Sequence, residues 1–127
     1  MAAIEVTTTK ITKFATPATT TVAAATSTTV NEKEDFEIEY STADSRVIIV
    51  ADVANTHGTV KLNAPKGAFW AGGALSVNCV QNKRSVFVLE GGKHKAADGT
   101  ITLEAEPATG KRLLTDHALK IEVIELL

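Results

Sequence analysis

Alternation of apolar and polar positions divides the chain into short extended segments. The densest apolar run is Arg-Val-Ile-Ile-Val-Ala-Asp-Val-Ala at Arg46–Ala54. A run of β-branched residues bounded by turn formers predicts a strand buried on both faces, the centre of the fold. Residues 36–40 instead show period two, with Phe36, Ile38 and Tyr40 on one face and Glu37 and Glu39 on the other. That pattern predicts a half-exposed strand. Residues 55–58 (Asn-Thr-His-Gly) read as a turn into a short strand at 59–62, where Val60 and Leu62 point inward. The two segments predict a hairpin built on the central strand. Further strands are predicted at 75–80, 85–90, 100–105 and 118–127. In the last, Leu119, Ile121, Val123 and Glu125 share a face. Residues 81–84 (Gln-Asn-Lys-Arg) form a polar turn and residues 91–95 a basic, flexible loop. No stretch carries helical periodicity over ten residues, and no repeat is present. About seven short strands with frequent turns predict an all-β fold, an antiparallel β-sandwich or jelly-roll-like barrel, over residues 36–127.

Residues 1–35 differ in kind. The first thirty hold eleven threonines, seven alanines, no glycine and three charges (Glu5, Lys10, Lys13). Thr resists helix, so this backbone is expected to be extended, with Pro17 interrupting any ladder. Large apolar residues are sparse: Ile4, Val6, Ile11, Phe14, Val22 and Val30. So few cannot offset the entropy of ordering the segment by itself. Two readings fit, a solvated leader or an arm that orders by adding strands to another surface. The low charge favours the arm. Residues 31–35 (Asn-Glu-Lys-Glu-Asp) read as a solvated turn between arm and body.

The bulk properties narrow the function. A chain of 127 residues suits one domain with a real core. Net charge is −2 and the isoelectric point is near 5.9, so there is no basic excess to neutralise phosphates or anionic lipid. Neither a nucleic-acid nor a membrane partner is expected. The start, Met1-Ala-Ala-Ile-Glu5, lacks a basic n-region and an apolar core, and no run reaches the roughly 20 residues a spanning helix needs. A protein made and folded in the cytoplasm is expected. Cys79 is the only cysteine, which excludes an internal disulfide and reads as a small buried residue. His57, His94 and His117 fall in predicted turns without ligand spacing, so neither metal nor cofactor is expected. Glu37 and Glu39 lie on a solvated strand face rather than in a desolvated pair. No nucleophile motif and no phosphate loop occurs. The chain is expected not to be an enzyme and to take no small-molecule substrate.

The most informative side-chain pair is Phe69-Trp70, in a Pro- and Gly-rich loop at residues 63–73. Neighbours on an extended segment point opposite ways. The pair is therefore an exposed anchor at an interface, or a plug at one end of the sandwich with Phe69 inside as well. The order of Arg-Val-Ile-Ile-Val, Gly-Thr-Val-Lys-Leu, Phe-Trp-Ala-Gly-Gly, Val-Phe-Val-Leu-Glu and His-Lys-Ala-Ala-Asp-Gly-Thr-Ile, closed by a short apolar strand, resembles small virion proteins of tailed bacteriophages. In particular it resembles head decoration (cement) proteins and their prophage relatives. The resemblance covers roughly residues 46–127. It implies binding to a major capsid protein lattice at the virion surface, often as clustered copies of the chain. No residue role transfers. On this reading Ile4, Val6, Ile11, Phe14 and Val22 of the arm dock on a neighbour, with Phe69 and Trp70 as further contacts. A tail or fibre component, or a glycan-binding module using Trp70, are the alternatives.

Overall fold

The computed structural model describes residues 3–11, 22–39, 46–54 and 58–126; Tyr40, His57, Phe14 and Pro17 lie outside them. The described chain is all-β apart from a single helical turn. Its strands are β1 (Ile4–Val6), β2 (Thr9–Ile11), β3 (Ala23–Ala24), β4 (Glu34–Glu39), β5 (Arg46–Ala54), β6 (Val60–Ala64), β7 (Leu75–Cys79), β8 (Lys83–Glu90), β9 (Thr100–Glu106) and β10 (Ala118–Leu126). Helix α1 (Gly91–His94) follows β8 directly.

Two sheets form. One runs β1-β4-β9-β6-β7, and the other runs β2-β10-β5-β8 with β3 also paired to β10. Strands β1 and β2 pair in parallel with β4 and β10, while all other pairings are antiparallel. Each strand turns its period-two apolar face inward. Phe36 and Ile38 of β4, Ile101 and Leu103 of β9 and Leu62 of β6 share one core with Val47, Ile49, Ala51 and Val53 of β5 and with Leu119, Ile121 and Val123 of β10. Burying each large side chain contributes roughly 1.5–3 kcal/mol, so this sandwich-like interior is the main source of stability.

The seven predicted strands are β4 to β10, but two expectations need correction. Arg46–Ala54 is not buried on both faces: Val47, Ile49, Ala51 and Val53 are in the core, whereas Ile48, Val50 and Asp52 are only half-covered. Nor does β5 form a hairpin with β6. The two lie in different sheets, β5 between β10 and β8, β6 between β9 and β7. The predicted basic loop at 91–95 contains α1, whose turn is closed by Lys95 N–H to the Gly91 carbonyl.

The boundary expected at residue 35 does not follow the sheets either. β1 adds an edge to the first sheet, β2 and β3 to the second. Ala25 N–H donates to the Leu119 carbonyl, Leu114 N–H to Ser27 and Asn31 N–H to Lys111. Glu34, expected in a solvated turn, is buried. Its carboxylate accepts from the Thr26 and Ser27 amides at 2.7 and 3.1 Å, and from the Thr26 hydroxyl. Backbone pairing and a buried acceptor replace the large apolar groups this segment lacks.

Candidate binding surface

The Phe69-Trp70 loop is held against α1 from several sides. Gly67 N–H donates to the Lys93 carbonyl at 2.6 Å and Ala68 N–H to the Lys95 carbonyl at 3.0 Å. A side chain at Gly67 would run into the backbone of Lys95, so only glycine allows this approach. The Nδ1 of His94, buried, lies 3.1 Å from the Pro65 carbonyl oxygen. Lys93 Nζ stands 5.0 Å from the Trp70 ring centroid and 3.1 Å from Glu90 Oε2. Gly72 packs so close to the indole that a Cβ there would collide with it.

The pair splits, although residues 68 and 69 form a turn, with Trp70 N–H reaching the Gly67 carbonyl at 3.4 Å, rather than an extended segment. Trp70 is half-buried under Lys93, while Phe69 is 88% exposed. The expectation of a plug with both rings inside is corrected for Phe69. Its ring borders an open cavity of about 500 Å³ shared with Lys95, Ala96 and the Asp98–Gly99 turn. On the far side of that turn lies a second cavity of about 390 Å³, lined by Thr7, Thr8, Lys10 and Glu39. One end of the sandwich thus joins Phe69, the 98–99 turn and the β1–β2 link. The turn is locked by Asp98, whose Oδ1 accepts from the Thr100 hydroxyl at 2.8 Å and the Thr100 amide at 3.1 Å. These bonds hold the Asp98 carboxyl below its usual range.

Of the other predicted contacts, Ile4, Val6 and Val22 do not line either cavity. Val6 is 2% exposed within this chain's own core, which corrects its expected docking on a neighbour, while Ile4 is half-buried against that core. The backbone of Ile11 pairs with Leu126. Val22 is 47% exposed. Phe14 lies outside the described residues.

A surface not singled out from sequence is the outer face of the second sheet. Val86 is 62% and Val88 50% exposed on β8. They stand opposite Val50 and Ile48 of β5, and Ile48 in turn stands opposite Ile124 of β10. In residues 86–89 (Val-Phe-Val-Leu) both faces are apolar, so alternation gives no sign of which is outside. The signal was Lys83-Arg84 before the run, charges typical of a sheet edge.

The remaining polar chemistry is structural. His117 is buried, and the Ala108 N–H approaches its Nε2 at 3.4 Å. Burial pushes the Cys79 thiol up, partly offset by a hydrogen bond with Ser85. Among the described residues no group of three or more His, Cys, Asp or Glu is placed to hold a metal. No described helix is long and apolar enough to cross a membrane.

Fold and surface together define an all-β, sandwich-like module with apolar groups displayed on a rigid frame. Comparison of the chain with protein-family models, with curated proteins and with solved structures finds no match.

Proposed function

We propose that this protein is a non-enzymatic virion structural protein that binds a capsid lattice as a decoration module. The single observation that supports this reading is Phe69, a large aromatic held out on a loop whose backbone is bolted to α1. A preorganised aromatic anchor binds protein without the ordering cost of a mobile one. The contact differs from the one expected of an arm, because Ile4 and Val6 belong to the module that carries them. The resemblance of residues 46–127 to decoration proteins supplies the partner class.

The test is co-sedimentation of the purified protein with empty heads assembled from the major capsid protein of the same genome. Saturable binding is expected, and Phe69→Ala should weaken it by about 30-fold, the effect of losing one hot-spot side chain. Binding to purified tails and not to heads would instead mark a tail component. Glycan-array binding lost in Trp70→Ala would mark a sugar-recognising module.

A further inference from the structure

We propose that β8 is a dimerisation edge, pairing antiparallel with β8 of a second copy about a two-fold axis through Phe87. This rests on the sheet alone and is independent of the capsid reading.

Three of the four sheet edges are short or polar. β1 has three residues, and β2 and β3 share the side of β10 in pieces of three and two. β7 has five, with Ser76 and Asn78 exposed. β8 is different. It has eight residues, ends its sheet, and no described strand pairs with its outer side. Its middle has no proline, glycine or charge, and Val86 and Val88 extend the apolar outer face to the rim. Such an edge calls for a partner strand.

Register identifies the partner. For both sandwiches to lie on the same side of a shared sheet, facing residues must point the same way, which restricts the axis to pass through a residue. Through Val86, the axis would set Arg84 against Val88 and Lys83 against the buried Leu89. Through Val88, it would set Val86 against Glu90. Through Phe87, no charge meets an apolar residue, and the one mixed pair is the small Ser85 facing Leu89. Arg84 faces Glu90 and Val86 faces Val88 on the outer side, while Phe87 faces its own copy within. The strand is thus complementary to itself in charge and apolarity. Arg84 already lies 3.7 Å from Asp52, and Glu90 bonds Lys93, so each new pair would join an existing charge network.

Sedimentation velocity of the full chain over a wide concentration range should show a monomer–dimer equilibrium. Arg84→Glu or Glu90→Arg each places like charges opposite one another twice, and should raise the dimer dissociation constant about tenfold. The double exchange should restore dimerisation, which a merely structural effect would not do. Register is read by mixing Val86→Cys with Val88→Cys chains under mild oxidation. Both sites are exposed and native Cys79 is buried. A disulfide-linked dimer should form in the mixture well before it forms in either variant alone. A monomer at every concentration overturns the proposal. So does a dimer insensitive to both charge changes, or cross-linking no faster in the mixture.

Discussion

Glu34 shows how much one residue can organise. It sits 3% exposed at the start of β4 and binds the chain at Thr26 and Ser27 through three hydrogen bonds. Glu125, fully buried near the end of β10, takes the Thr8 hydroxyl at 3.0 Å. Two buried carboxylates thus meet the Thr-rich segment, whose hydroxyls and amides supply the donors. Glu34→Ala would leave the Ser27 amide buried without this acceptor, and should cost about 2–4 kcal/mol. A lowered urea midpoint at unchanged slope would show it. Glu34→Gln keeps one acceptor oxygen and should cost less. The inward direction of Glu34 was legible in principle, since residues 34, 36 and 38 share a face. Its place inside an acidic, polar run, Asn31 to Asp35, masked that parity. Glu125 was readable because it continues Leu119, Ile121 and Val123 on one strand face.

Among elements, the faces of strands were legible and their partners were not. Period two gave the inward sets of β4, β6 and β10 correctly, because each alternates apolar with polar residues. It cannot say that β5 and β6, or β7 and β8, cross between sheets, since a turn and a sheet-to-sheet crossing use the same polar residues. Least legible was β1. Three residues, Ile-Glu-Val, carry almost no periodic signal. They are strands because β4 offers an edge on which Ile4 meets Phe36 and Val6 meets Ile38. Val6→Asp therefore places a charge in this chain's core. The isolated protein should lose on the order of 3–5 kcal/mol, the cost of an unpaired buried charge. Denaturation of the purified variant measures this. An unchanged midpoint would return Val6 to the surface of a foreign partner.

At the scale of the molecule, the described strands β1, β2 and β3 act as a strap on both sheets, and stability should be graded accordingly. β5, β9 and β10 are flanked on both sides and line the core, whereas β1, β2 and β3 are short edges. Native-state hydrogen exchange should be slowest in the first group, near the global unfolding limit, and fastest in the second. Equal protection in β1 and β9 would contradict a strap that opens before the body. The backbone under Phe69 is held separately, by its hydrogen bonds to Lys93 and Lys95. That rigidity suits a surface that meets other proteins, whether a capsid lattice or a second copy.

The amino-acid pattern alone determined that this chain is all-β, where its seven longer strands run, and which side chains of β4, β6 and β10 form the interior. Those follow from local alternation, which each strand carries within itself. Tertiary structure decided which strands are neighbours, that Phe69 faces outward while Trp70 lies under Lys93, and that the first residues belong to the body. The physical reason is that pairing and burial depend on distant parts of the chain. A short Thr-rich segment has no preference strong enough to declare its place before the edges of β4 and β10 exist to receive it.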